Sequence, residues 1–213
     1  MTNKELFETN NSIAFNYINK YTYPFEVLPN IGNIILEIGK TLDDKYENID
    51  GNIWISKTAK LPSIYTITGP CIIDSFAEIR PGAYIRGNVI IGKNSVLGNS
   101  CEIKNSILYD NVEVPHFNYV GDSILGYKSH MGAGSITSNL KSTKTNVVIN
   151  GIETNLRKVG AFLGDYAEIG CNSVLNPGTI IGKNTIIYPL TMVRGVIDKN
   201  KIVKTMDNIV ERI

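Results

Sequence analysis

The sequence predicts an all-β chain: a left-handed parallel β-helix of hexapeptide repeats, about seven coils tall, carrying a short N-terminal helical cap. Three observations carry this expectation. From Trp54 onward large aliphatic residues recur every six positions, at Ile55, Leu61, Ile67, Ile73, Ile79, Ile85, Ile91, Leu97 and Ile103, without a break. Four places after each stands a mostly small residue, as at Ala59, Cys71, Ala77, Ala83, Ser95 and Cys101. Gly, Asn or a charged residue often follows the aliphatic one, as in Ile91-Gly92 and Leu97-Gly98. Neither a helix, with 3.6 residues per turn, nor a strand, with a period of 2.0, gives a period of six. A coil of three short strands and three corners in about 18 residues does, and this hexapeptide class is the left-handed exception to the crossover rule. The aliphatic side chain points inward and the small residue fits the tight inner corner. At a strand spacing of about 4.8 Å, seven coils stand roughly 34 Å tall.

The elements follow in order. Residues 1–51 lack the repeat and read as a helical cap or docking arm, of the kind repeat stacks need at their ends. Within them Ile31, Ile34, Ile35, Ile38 and Leu42 fall at helical spacing, which predicts a helix from Asn30 to Tyr46. Residues 52–197 are the coil stack. Its register slips by one residue after Ile103, resuming at Leu108, Val114 and Val120, and slips again to give Leu125, Met131 and Thr137. Residues 138–159 break the period and must leave the prism as a loop. The repeat then returns at Leu163, Ile169, Leu175, Ile181, Ile187 and Val193. The tail, residues 198–213, carries Ile202, Val203, Met206, Ile209, Val210 and Ile213 in a mildly amphipathic pattern that suggests a short closing helix.

Composition excludes several function classes. The 213 residues are 43% hydrophobic, and 21 basic against 20 acidic residues leave a net charge of +1, which suggests neither nucleic acid nor a membrane surface as partner. No apolar run approaches the roughly 20 residues that span a bilayer. The first residues lack the apolar core of a signal peptide, so a cytoplasmic location is expected. Three cysteines without a CxxC pair argue against a disulfide framework or zinc knuckle. With two histidines in all, a three-histidine zinc site cannot be built, and no metal is expected.

Polar chemistry concentrates in Val114–Asn139, which holds both histidines, Tyr119, Asp122, Asn118, Asn139 and the turn Gly132-Ala133-Gly134. A β-helix core is packed, so a site must lie on an outer face or between chains; prisms of this class associate as trimers. His116 follows a proline and points outward, either as an ordinary surface histidine or as a base for an amine nucleophile. His130 is a second site group or a packed corner residue. Arg80, Arg86 and Lys104 each follow an inward residue directly. They form a cluster for an anionic group such as phosphate, or a solvated basic patch. Asn139 and the amides of the glycine turn are candidates to steady an oxyanion. The irregular loop at 138–159, with Lys141, Lys144, Arg157 and Lys158, is solvated or touches a ligand beside that stretch.

Taken together, Arg80-Pro81-Gly82-Ala83, Glu102-Ile103-Lys104, the Pro115-His116 pair with Tyr119-Val120-Gly121-Asp122, and Gly132-Ala133-Gly134 with Ile136-Thr137 and Asn139 form an ordered set. It resembles the acetyltransferase half of bifunctional glucosamine-1-phosphate acetyltransferase/N-acetylglucosamine-1-phosphate uridylyltransferase. The stretch from Arg157 to Gly195 is similar to archaeal sugar-1-phosphate nucleotidylyltransferase/acetyltransferase relatives. The resemblance covers residues 52–197. It implies an acetyl-CoA-dependent N-acetyltransferase acting on an amino sugar 1-phosphate, working as a homotrimer with the donor bound between chains. It implies catalytic roles for His116, the base, and Asn139. Substrate contacts fall on Arg80, Lys104, Tyr119, His130 and Lys144, and donor contacts on Ala133, Asp165 and Tyr188. The alternative is a non-catalytic or regulatory trimer that binds sugar phosphates or nucleotides. The chain departs from the family at His130, where asparagine is common, at Asp165 and Tyr188, where Ser or Ala stands, and in a longer insert before Val159. Residues 1–50 hold no glycine-rich GxGTRM phosphate loop, so no nucleotidylyl transfer is expected of this chain.

Overall fold

The computed structural model describes residues 1–8 and 10–212, so Ile213 of the tail pattern lies outside the described residues. Parallel strands of two to five residues wind into a left-handed β-helix of about eight turns. Its three faces are sheets of nine, eight and seven strands. Strands of the first face include Ile53–Ser56, Cys71–Ile73, Val89–Ile91 and Ala161–Leu163. The second face includes Val96–Asn99, Glu113–His116 and His130–Met131, and the third includes Glu102–Lys104, Tyr119–Gly121 and Ile136–Thr137. Chain neighbours in each sheet are one coil apart, as in the pairing of Val114 with Leu97 and of Val120 with Ile103. The aliphatic rungs fill the interior: Ile73, Ile85, Ile91, Leu97, Ile103, Leu108, Val114 and Leu125 are fully buried.

The corners account for the asparagines and glycines. Asn88, Asn94, Asn105, Asn111, Asn172, Asn184 and Asn200 all have positive φ, the left-handed conformation that asparagine tolerates better than most residues. The register slips have the same origin. Between the third and first faces, one corner turns through Gly87 and Asn88, both at positive φ, while the next two turn through Asn105 or Asp122 alone. Each slipped corner is one residue shorter.

Three parts differ from expectation. The helix in the N-terminal segment spans Ile31–Gly39, and the chain then forms a strand, Tyr46–Ile49, antiparallel to Ile53–Ser56. Gly39 lies against the Trp54 indole, where a Cβ has no room. Moreover, the segment lies along the side of the prism, not across its end. Its helix packs on Cys71–Ile73 and Val89–Ile91, Phe7 stacks on Tyr109 at 4.9 Å, and the Asp165 amide donates to the Leu6 carbonyl at 3.0 Å. As a result the outward side chains of the first face, Ile72, Ile90, Ile107, Ile124 and Phe162, are as buried as the core. Finally, the tail is a hairpin instead of a helix. Lys201–Thr205 adds a parallel strand to the second face and Asn208–Glu211 folds back antiparallel on it. An open sheet edge offers Ile202 and Val203 a ladder that an isolated helix cannot match.

Candidate functional site

Two clusters lie on opposite edges of the third face. The first sits at the corner between the second and third faces, where Glu113–His116 ends. His116 is exposed, and its backbone is held from both sides. Its N–H donates to Asn118 Oδ1 at 3.0 Å, and its carbonyl accepts from the Gly134 N–H at 2.9 Å. Asn118 is buried and donates onward to the Gly132 carbonyl at 2.8 Å, so one amide ties the histidine to the glycine turn a coil away. The His116 ring places Nδ1 3.0 Å from Asn99 Oδ1. Of the turn amides, Gly132 donates to Ile169 and Gly134 to His116. The Ala133 N–H has no acceptor among the described residues.

The second cluster lies where the third face meets the first. Asp122 is nearly buried and accepts from Lys104 Nζ at 2.8 Å, from Asn105 Nδ2 at 2.9 Å and from Asn139 Nδ2. Asn139 Nδ2 also lies 3.1 Å from the Tyr119 hydroxyl oxygen. Tyr119 folds across Gly121, where an added Cβ would stand 2.5 Å from the hydroxyl and 2.9 Å from Asn139 Nδ2. Glycine is required there for the tyrosine and amide to meet. Burial, then the charges of Asp122 and Glu102, push the Tyr119 phenol above its ordinary range, which keeps it protonated.

The structure thus brings Lys104, Tyr119 and Asn139 together, and separately His116 with Ala133. It does not bring Asn139 to Ala133: the two lie at opposite edges of the third face. Arg80 is not beside Lys104 either. It ends a second-face strand and turns back onto Glu78, with Nε 2.7 Å from the carboxylate. The arginine next to Lys104 is Arg86, whose amide donates to the Ile103 carbonyl and whose guanidinium meets Glu102. His130 faces Glu113, with Nδ1 3.0 Å from Oε2, and pairs in register with Glu113 and Glu168. It therefore stands at the far edge of the second face from His116. Lys144 is exposed in the loop at 138–159, away from both clusters in the hydrogen-bond network.

Asp165 is the clearest departure from its expected donor-binding place. It is fully buried, with Oδ1 accepting from the Tyr127 N–H at 2.8 Å and Oδ2 from the Glu8 N–H at 2.6 Å. A carboxylate closed in by two backbone amides cannot reach a ligand on an open face. It fastens the N-terminal segment to the prism. Tyr188, by contrast, is open. It lies on the His116 corner three strand spacings away, about 14 Å, beside the exposed Leu190 and Met192. The roles of Asn99, Asn105 and Asp122 carry no signal in the sequence. Asn105 looks there like any corner asparagine, and Asn99 is the last residue of its strand. Among the described residues no group of three or more His, Cys, Asp or Glu side chains is placed to hold a metal. Among the described residues no helix is long and apolar enough to cross a membrane.

Comparison with known proteins adds relatives. The family model of the GMPPB C-terminal domain matches residues 67–159. The chain is 36% identical over 201 residues to the bifunctional protein GlmU of Methanococcus maripaludis, covering 91% of this chain and 49% of that protein. It is also 36% identical over 145 residues to the bifunctional sugar-1-phosphate nucleotidylyltransferase/acetyltransferase of Sulfurisphaera tokodaii, covering 66% of this chain and 36% of that one. The chain spans about half the length of the first of these relatives. Among solved structures, a hexapeptide transferase family protein from Anaplasma phagocytophilum aligns over 77% of this chain and 81% of its own, at 14% identity and a TM-score of 0.45.

Proposed function

The chain is a hexapeptide-repeat relative of the GlmU and sugar-1-phosphate nucleotidylyltransferase/acetyltransferase proteins, and on that premise we propose that it is an acetyl-CoA-dependent N-acetyltransferase for an amino sugar 1-phosphate. One observation carries the reading. An outward histidine with both backbone groups pinned stands one coil from a backbone N–H, that of Ala133, which has no acceptor among the described residues. This is the pairing that acyl transfer from a thioester needs.

The acceptor amine attacks the thioester carbonyl while His116 Nε2 takes the proton that the nitrogen loses. Negative charge that collects on the carbonyl oxygen faces the Ala133 N–H. The C–S bond then breaks, and the thiolate leaves with a proton returned from the imidazolium. The sugar lies along the third face, against Tyr119 and Asn139, with its phosphate toward Lys104 and Arg86. The donor runs from Ala133 along the corner toward Tyr188, where Leu190 and Met192 offer apolar surface. In a homotrimer a neighbouring chain closes this open corner into a groove, and Arg80, His130 and Lys144, which lie off the two clusters, serve the site of a neighbour. Asp165 takes no part in donor binding.

The test is thiol release from acetyl-CoA with glucosamine 1-phosphate and galactosamine 1-phosphate as acceptors. His116→Ala should lower the rate by a factor of about 10² or more; an unchanged rate would sink the mechanism. One observation favours a second reading, a sugar-phosphate-binding trimer without catalysis: the Lys104 charge is already matched by Asp122 and its side chain is only 16% exposed. Thermal stabilisation by sugar phosphates, without stabilisation by acetyl-CoA and without thiol release, would decide for it.

A further inference from the structure

A base works only if the nitrogen facing its substrate carries a lone pair. In a neutral imidazole that depends on which ring nitrogen holds the proton, and the other nitrogen's hydrogen bond sets the choice. Asn99 and His116 are in-register neighbours on adjacent strands of the second face. Their side chains meet outside the prism, with Asn99 Oδ1 3.0 Å from His116 Nδ1. An amide oxygen can only accept, so this contact requires the proton on Nδ1 and leaves Nε2 bare.

Both partners stand on fixed backbone. The Asn99 carbonyl accepts from the Phe117 N–H at 3.1 Å, and the His116 N–H is held by Asn118. One residue earlier, a Cβ at Gly98 would overlap the Pro115 backbone, so only glycine fits beside the His116 strand there. The partner is also uncharged: it orients the ring without setting a negative charge beside it. His130 shows the contrast, since its Nδ1 faces the Glu113 carboxylate. Among the described residues the His116 ring makes its one hydrogen bond through Nδ1 and none through Nε2.

We propose that Asn99 is a positioning residue, which holds His116 in the tautomer with Nδ1 protonated and Nε2 free toward the acceptor amine. The proposal rests on the reading of His116 as the base, and its test separates the two. In the ¹⁵N-labelled chain, long-range ¹H–¹⁵N correlation spectra at a pH where the ring is neutral should show His116 Nδ1 protonated and Nε2 bare. A His130→Gln variant assigns the two rings. Asn99→Leu, similar in size but without an acceptor, should mix the tautomers, whereas Asn99→Asp, which still accepts, should retain the wild-type one.

With acetyl-CoA and glucosamine 1-phosphate, Asn99→Leu should lower kcat roughly tenfold or more and leave KM within about twofold, and Asn99→Asp should recover part of the loss. A wild-type ring protonated on Nε2, or a tautomer unmoved by Asn99→Leu, overturns the proposal. So does an unmoved kcat alongside a shifted tautomer. A wild-type chain that turns over neither acceptor overturns the acetyl-transfer reading instead, and with it the catalytic purpose of the bond, while the spectra still decide whether Asn99 sets the proton.

Discussion

Asp122 receives three side chains at once, from Lys104, Asn105 and Asn139, and through Asn139 it also reaches Tyr119. It stands at positive φ on the second of the two shortened corners, directly over Asn105 on the first. The one-residue slip that interrupts the repeat is therefore what stacks these two residues and aims the carboxylate at Lys104. Lys104 and Asp122 are both largely out of water. Removing one member of such a pair strands the other charge, so Asp122→Ala should cost about 3–5 kcal/mol, measured by urea unfolding. A loss below about 1 kcal/mol would mean that Lys104 swings free into solvent. The slips were legible in the sequence, as was the cluster of polar groups around His116. What could not be read were the pairings. Asn105 matches the asparagines that merely turn corners, at Asn88, Asn94 and Asn111, because one residue type serves both the left-handed turn and the hydrogen bond, and Asn99, one place before the left-handed Ser100, has nothing in its spacing to mark it. The pairing of Arg80 with Lys104 comes from the resemblance, while spacing sets Arg80, Arg86 and Lys104 alike just after an inward residue; a residue at the end of one face and a residue at the end of the next are separated by the width of a sheet.

At the scale of elements, the N-terminal segment turns one face of the prism into a second core. The signal was present: every third rung reads as a run of apolar residues, as in Cys71-Ile72-Ile73, Val89-Ile90-Ile91 and Phe162-Leu163, and strands apolar on both sides are buried on both sides. The period of six drew attention to the inward residue alone. Ile90→Ala, though it points outward from the coil, should therefore cost about 2–5 kcal/mol, as a core truncation does. Tyr84→Ala, an outward position on the open third face, should stay near 0.5 kcal/mol in the same denaturant titration.

Asp165 adds a pH dependence to that attachment. Burial raises its pKa to about 6 from an ordinary 3.8, despite the Glu8 and Tyr127 amides and Lys183, which pull it down, while Glu8 pushes it up. The folded chain then holds the proton more tightly than the unfolded one. The stability that it contributes is present below the ordinary value and is lost as pH rises through about 6. Urea midpoints should fall across that interval from this group, and Asp165→Asn should flatten its share. An unchanged pH slope in the variant would assign the dependence to other groups. The helix read as far as Tyr46 and the helix read in the tail fail for a shared reason. Spacing near 3.6 was present in both, but in each case a neighbouring strand offered a ladder for the backbone.

Over the whole molecule, the covered first face leaves the second and third for contact with other chains, and the corner between those two is where His116, Ala133 and Tyr188 stand. The ends of the stack follow a different logic. A pile of identical parallel coils has no natural length, because its last rung offers the next chain the same unpaired groups that its first rung offers in reverse. At each end of the stack one of the three sheets closes with a change of direction. Tyr46–Ile49 runs backward against the opening strand of the first face, and Asn208–Glu211 runs backward against the closing strand of the second. An incoming coil in the parallel sense would meet a strand of the wrong polarity. Deleting residues 206–212 should therefore bare the Lys201–Thr205 edge of the second face and let two chains pair through it, visible as light scattering that rises with concentration; a deleted chain that scatters no more than the intact one would show that the hairpin does not protect that edge. The tail, in that light, is a guard on one exposed sheet edge of a solenoid.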